Sequence, residues 1–296
     1  MPAGSKAYMN ISYKNTNTAS LLFSSPDEVG IIAALSNFFS ERDLSISRYA
    51  EYTDDGQFFS RLEWSLNDRW EDESGFSAEF SDVADKYSAS FDVRFMDRVQ
   101  SVGLFVSKQA HALIEMLNKY EANYFPNMEI SFIVGNDESM SRIADRHGMP
   151  FFYIPTDCAV DEYEKKQLEI VRRYKPDYVG LARYMKVLSE NFIQSTGCPI
   201  INIHHSFLPS FVGAKPYQMA YERGVKLIGA TSHFVTPELD QGPIIEQNVG
   251  RVAPGAGVQD MIKMGRDIEQ KVFAQAMLKV LEHKAIIYKN RTIIFN

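Results

Sequence analysis

Between Ile200 and Gln247 the chain collects an amide, an imidazole and a carboxylate close to the ends of two apolar runs. Pro199 to Ile203 reads as a short buried strand. It carries Asn202 and, two residues on, His204, on the same side of an extended backbone. His204, His205 and Ser206 precede Phe207-Leu208-Pro209, where such a strand should end. Ile228 to Val235 is a second strand-like run, and Asp240 follows in a loop just before Gly242-Pro243. This set suits acyl chemistry: the amide and imidazole can hold a carbonyl oxygen as it becomes an oxyanion, and the carboxylate can order or deprotonate a nucleophile. The same spacing also describes a hydrogen-bonded turn without chemistry.

Taken in order, Asn202-Ile203-His204, Ser206-Phe207-Leu208-Pro209, Ser232-His233-Phe234-Val235 and Leu239-Asp240-Gln241-Gly242-Pro243 resemble the folate-dependent formyltransferase-fold enzymes. Within that group, His204 to Pro209 followed by Gly213-Ala214-Lys215-Pro216-Tyr217 resembles the formyltetrahydrofolate deformylases, and the resemblance runs from about Ser20 to Phe295. It implies that Asn202, His204 and Asp240 are catalytic, and that the N-formyl group of 10-formyltetrahydrofolate is hydrolysed to formate and tetrahydrofolate. The folate is then substrate rather than cofactor, and no metal is expected. The resemblance also implies that Leu181 to Leu188 holds the pterin ring, with Arg183, Met185, Lys186 and Leu188 as binding residues. Glu238 and Leu239 would close the other side of the ring, Lys215 would meet the glutamate tail or fix the loop, and His233 would line the site. Met185 and Leu188 equally suit ordinary core, and Lys215 suits solvent. His205 ranks below His204, because neighbours on a strand face opposite ways. His111, His147 and His283 have no evident partner.

The elements that must position these residues fall into two blocks, 18–97 and 98–296. The first has a β-α-β-β-α-β rhythm: a strand over 18–24, a helix capped by Asp27 with Val29, Ile32, Ala33, Ser36 and Phe39 on one face, and strands over 46–52 and 58–66 joined at Asp54-Asp55-Gly56. A helix carrying Phe76, Phe80, Val83 and Tyr87 and a strand over 88–95 follow. That is a ferredoxin-like pattern, and Pro26-Asp27 with Gly30-Ile31-Ile32-Ala33 resembles an ACT domain, a regulatory or oligomer-forming module. In the second block strands (101–107, 128–134, 151–154, 178–182, 199–203) alternate with helices (111–120, 139–147, 161–174, 189–195), ending in a helix over 258–282 and a strand over 285–295. This argues an open, mostly parallel, Rossmann-like α/β sheet. Its ligands should bind outside the carboxyl ends of strands, where Arg183 and His204 fall.

Apolar residues make up 45% of the 296 and charged ones 23%, as in ordinary globular chains long enough for two domains. A net charge of −7 without a Lys/Arg block argues against nucleic acid or an anionic membrane as partner. Two cysteines, Cys158 and Cys198, without ligand-like spacing exclude a disulfide framework or zinc motif and suit the cytoplasm. No apolar run approaches the roughly 20 residues of a membrane span, and the polar start of the chain lacks a signal-peptide core. A homo-oligomer joined through the ACT-like block is expected.

The nearest rival is a transferase passing the formyl group to an amine such as glycinamide ribonucleotide; a transfer-RNA acceptor is disfavoured by the charge. A phosphate-bearing acceptor is usually held by a glycine-rich turn at a helix start, and Ser107-Lys108-Gln109-Ala110-His111 has no glycine. A rival of another class is a folate or amino-acid sensor with a dead site. Four departures from the family pattern stand out: Ser25 for Cys, Asp43-Leu44-Ser45 for a Gly-x-Asn, Asp137 for a His and Pro254 for a His. The second predicts that glycine or methionine binds weakly or not at all, because the turn gains a carboxylate and a branched side chain.

Overall fold

The computed structural model describes residues 17–209 and 216–296. Lys215, with Gly213 and Ala214, lies outside the described residues. The chain divides between Arg98 and Val99 into two compact units.

In the first unit β1 (Thr18–Pro26), α1 (Ile31–Ser40), β2 (Ile46–Asp54), β3 (Gln57–Ser65), α2 (Glu73–Lys86) and β4 (Ser90–Phe95) form an antiparallel sheet in the order β2-β3-β1-β4. The ferredoxin-like rhythm is therefore realised. The β2–β3 hairpin turns at Asp55 and Gly56, both at positive φ (50° and 71°). The first helix departs from expectation. Its N-cap is Gly30 at φ 101°, where only glycine is unstrained, and no side chain caps it. The helical period therefore counts from Ile31: Ile31, Leu35, Phe38 and Phe39 are buried, while Val29 and Ile32 are exposed. Asp72, by contrast, caps α2 by accepting the N–H groups of Ser74 and Gly75. The core is aromatic, with Phe76 stacked on Trp64 at 5.0 Å and on Phe80 at 5.3 Å. Each such pair contributes about 0.5–1.5 kcal/mol beyond its area. The turn at 43–45 also differs: Asp43 adopts φ 54°, and the side chain of Leu44 is buried in this core.

The second unit runs β5 (Gln100–Val106), α3 (His111–Glu121), β6 (Met128–Gly135), a short 3-10 turn (Glu138–Met140), α4 (Ser141–Arg146), β7 (Phe151–Tyr153), α5 (Val160–Tyr174) and β8 (Tyr178–Leu181). It continues with α6 (Glu190–Thr196), β9 (Ile200–His204), α7 (Pro216–Glu222), β10 (Leu227–Phe234), β11 (Ile244–Arg251), α8 (Val258–Leu281), β12 (Ala285–Tyr288) and β13 (Arg291–Ile294). The sheet order is β11-β10-β9-β8-β5-β6-β7. Strands β7 to β9 are parallel; β10 and β11 run antiparallel at one edge. The expected last strand over 285–295 is instead a hairpin, because Lys289 turns the chain at φ 53°.

Period-two alternation sorts each parallel strand between two cores. Val102, Leu104, Val106, Ile201 and Ile203 pack with α3 and α8, while Phe105, Leu181 and Ile200 pack with α5 and α6. Asn202 and His204 thus belong to the α6 side. There the helical cover stops short of the carboxyl ends of β8 and β9 and leaves a cleft of about 360 Å3. The strand order reverses between β5 and β8, with β6 and β7 laid down on one side and β8 and β9 on the other, so the cleft sits beside the switch point of the sheet.

Candidate active site

Asn202 and His204 close β9 and face the cleft together. In the antiparallel register β10 places His233 opposite Asn202, and the Asn202 amide nitrogen lies 3.3 Å from His233 Nε2. His233 Nδ1 donates to the Phe234 carbonyl at 2.8 Å, which leaves Nε2 to face the Asn202 amide. Asp240 enters from the loop after β10 at φ 55°. Its Oδ1 lies 3.2 Å from His204 Nδ1 and 3.7 Å from His233 Nε2. The loop is held tight at Gly242, where an added Cβ would stand 1.8 Å from the Phe234 carbonyl oxygen. With Nδ1–H spent on Asp240, His204 presents Nε2, which is buried and has no hydrogen-bond partner among the described residues. The hydrogen bond from His204 and the nearby His233 ring hold the Asp240 carboxyl well below the usual carboxylate range. The set can therefore keep an anion on Asp240 and aim the Asn202 N–H and His204 Nε2 into one space.

The apolar side of the cleft is supplied by the loop after β8 and the loop carrying Asp240. Met185 is 55% exposed and Leu239 61%, so both apolar side chains are free to meet a ligand. Leu188 is only 7% exposed and serves as the cleft floor and as core at once. Lys186 lines the cleft, and its Nζ reaches the Thr156 carbonyl at 3.5 Å. The Met185 N–H donates to Ser107 Oγ at 2.9 Å, which fixes the loop to the end of β5. Glu238 is exposed and not among the cleft-lining residues. Its backbone carbonyl accepts from Thr236 Oγ1 and shapes the loop instead.

Arg183 lines the cleft as well. At φ 63° its backbone turns the chain, and its side chain is buried, with its polar partners inside the protein. It donates to His205 Nδ1 at 3.0 Å and to Gln109 Oε1 at 3.1 Å, while Nε lies 3.2 Å from Glu269 Oε2. Glu269, on α8, is buried; it meets His111 Nε2 at 2.7 Å and accepts from the Tyr217 hydroxyl at 3.0 Å. Burial pushes the Glu269 carboxyl up, but the hydrogen bond from His111 and the Arg183 charge outweigh it and leave the net shift downward. Tyr217 reaches Glu269 by crossing α8 at Gly265, where an added Cβ would lie 1.9 Å from its hydroxyl.

The sequence reading missed Glu269, Gln109 and Tyr217, and left His111 and His147 unpartnered. His111 pairs with Glu269, and His147 meets Glu121 at 2.7 Å. His205 was ranked low by strand alternation, but β9 ends at His204 and the alternation ends with it. The His205 ring instead stacks on His204, with centroids 4.8 Å apart and planes at 26°.

A formyl transferase domain family matches residues 101–277. The formyltetrahydrofolate deformylase of Bacillus subtilis (strain 168) is 41% identical over 95% of this chain and 95% of its own, and that of Synechocystis sp. is 39% identical over 94% and 98%. Among solved structures, a formyltetrahydrofolate deformylase from Pseudomonas syringae superposes with a TM-score of 0.90 at 35% identity, over 94% of both chains. A glycinamide ribonucleotide transformylase from Symbiobacterium toebii is more distant, with a TM-score of 0.62 at 26% identity over 67% of this chain and 95% of its own. Both units of the chain are thus accounted for by relatives of one kind, and the chain belongs to the formyltetrahydrofolate deformylases.

Proposed function

We propose that the chain hydrolyses 10-formyltetrahydrofolate to formate and tetrahydrofolate with Asp240, His204 and Asn202 as the catalytic set. The observation that carries this reading is the pair at 3.2 Å between His204 Nδ1 and Asp240 Oδ1, with the opposite ring nitrogen of His204 buried and unpartnered. The folate ring lies against Met185, Leu188 and Leu239, with Lys186 beside it, and the formyl group reaches His204 and Asn202. Water held by Asp240 attacks the formyl carbon. A carbon–oxygen bond forms, the carbonyl pair moves to oxygen, and Asn202 N–H and His204 Nε2–H hold the oxyanion. One such donor is worth on the order of 3 kcal/mol. Collapse breaks the bond from carbon to N10, whose electron pair takes a proton from His204. The proton shed by the attacking water passes to Asp240, which as a very weak base hands it on through water to His204 Nε2, replacing the one given to N10. Neither a metal nor a cofactor is called on.

Water is favoured over an amine acceptor by the turn at 107–111. Two of its side chains are taken up internally, Ser107 Oγ by Met185 and Gln109 by Arg183, and exposed Lys108 is left as the one group of the turn that could meet a phosphate. The deciding experiment measures formate released from 10-formyltetrahydrofolate by the chelator-treated protein, with and without glycinamide ribonucleotide. Release without the amine is expected. Turnover that appears only with the amine would make it a transferase, and binding without either would make it a sensor.

The first unit is proposed to join subunits rather than to sense amino acids. Val29 is fully exposed and Ile32 45% exposed on the open side of α1. Mass measurement of a Val29→Asp/Ile32→Asp double variant should show smaller assemblies, and calorimetry with glycine or methionine should show no micromolar binding. Among the described residues no helix is long and apolar enough to cross a membrane. A cytoplasmic protein without nucleic-acid partners is the accompanying proposal.

A further inference from the structure

Beside the catalytic set stands a buried cluster to which the reaction above gives no role: Arg183, His205, Glu269, Tyr217, Gln109 and His111. Its groups come from six places, namely the turn after β5, the start of α3, the loop after β8, the residue after β9, and helices α7 and α8. It converges on one guanidinium. Nη1 and Nη2 of Arg183 are hydrogen-bonded to His205 and Gln109, and Nε lies in an ion pair 3.2 Å from Glu269 without a hydrogen bond of its own, so three groups hold the guanidinium in place. Glu269 is in turn fixed from two further sides by His111 and Tyr217.

What Arg183 does to His205 follows from its having donors only. A guanidinium 3.0 Å from Nδ1 requires a lone pair on that nitrogen, so the one ring proton of His205 resides on Nε2. A second proton on Nδ1 would set N–H against N–H and bring a cation against Arg183. Among the described residues, the charged or titratable groups that face this ring are Arg183, His204, Glu269, Asp240, and Tyr217 with its ring centroid at 6.4 Å. Glu269 and Asp240 favour a proton on His205; burial, Arg183 and His204 oppose it and prevail.

The stacked partner is in the opposite condition. His204 Nδ1 faces a carboxylate at 3.2 Å, and the reaction needs a proton on its Nε2. Two imidazoles 4.8 Å apart cannot both be cations at little cost, so which of them is charged must be settled by what lies behind them. We propose that Arg183 and Glu269 are positioning residues that lock His205 as a neutral, Nδ1-accepting ring, so that His204 alone takes the catalytic proton. This deepens the reading of His204 as proton donor and rests on it.

The test is nitrogen NMR of the full-length free enzyme labelled at histidine, with His205 assigned by loss of its signals in His205→Gln. His205 should remain one neutral tautomer, protonated at Nε2, from pH 5.5 to pH 9, and should begin to titrate in that range in Arg183→Met. Titration of His205 in this range in the unaltered enzyme, or a proton on its Nδ1, would overturn the proposal. This readout needs no turnover, so it stands apart from the formate assay that decides the function itself. Kinetics supply the second arm. Arg183→Met and His205→Gln should each lower kcat by about tenfold to a hundredfold. The double variant should lose no more than the worse single one, because both act through one ring. Losses that multiply would show that Arg183 acts elsewhere and would also overturn the proposal.

Discussion

His233 stands directly across the sheet from Asn202, and its Nε2 and the amide nitrogen of Asn202 meet at 3.3 Å. The pair aims the amide: one N–H is spent on the imidazole, and the other is left for the cleft. His233→Leu removes the acceptor and frees the amide to rotate. It should lower kcat on the order of tenfold to a hundredfold while KM for the folate stays within about threefold, in steady-state formate release.

Asp240→Asn keeps size and loop shape but removes the negative charge that His204 Nδ1 faces at 3.2 Å. The expected result is a loss of about 100-fold to 10,000-fold in kcat with little change in folate binding. Near-normal turnover would exclude the assigned role.

Met185 and Leu239 are half-exposed apolar side chains at the cleft, so their removal costs the fold little and the ligand more. Each change to Ala should raise KM by about threefold to tenfold, equivalent to about 1 kcal/mol of lost apolar contact. Thermal midpoints should move by less than about 2 °C.

The pH dependence of stability should carry the mark of His205. Burial, with Arg183 next, pushes its imidazole from 6.5 down to about 4. A depressed histidine is neutral in the folded state while the unfolded chain takes up a proton. The stability tied to neutrality is therefore intact above pH 6.5 and is lost as pH falls from 6.5 toward about 4. The slope contributed is at most about 1.4 kcal/mol per pH unit. Urea titrations across that window should show it, and Arg183→Met should flatten it.

Gly242→Ala places a methyl group 1.8 Å from the backbone oxygen of Phe234, which cannot move without breaking its bond from His233. A destabilisation of about 2 kcal/mol or more is expected, with kcat falling further because the loop that follows Asp240 must shift. Denaturant unfolding and formate release measure the two effects separately.

The parts of this site that could be read from the chain are the local ones. Asn202 and His204 share a face because a strand alternates, and β9 delivers them so. Asp240 could be picked out as a loop carboxylate before Gly242-Pro243, but His233 was reachable only through resemblance. Their bond-distance geometry depends on the β9–β10 register and on the tight contact at Gly242. Glu269 was invisible for a physical reason: on α8 it falls among buried positions such as Ile268, Val272 and Phe273, where a carboxylate signals nothing until its cations are known. The α1 face was misread because its phase was counted from a cap at Asp27, whereas the cap is Gly30, three residues later. Strand β11 was missed at an edge where Glu246, Gln247 and Asn248 interrupt the apolar pattern.

The buried cluster spans great lengths of chain: His111 and Glu269 are 158 residues apart in sequence, and Arg183 and Gln109 are 74 apart. Closing such loops is entropically slow, whereas β2–β3 or β12–β13 hairpins form from neighbours. A refolding chain would therefore regain most of its strand signal before α8 docks and brings Glu269 to Arg183. Until then His205 is an ordinary imidazole, free to compete with His204 for the proton. Recovery of catalysis should trail recovery of secondary structure, which makes formate release a clock for the last long-range contact to form.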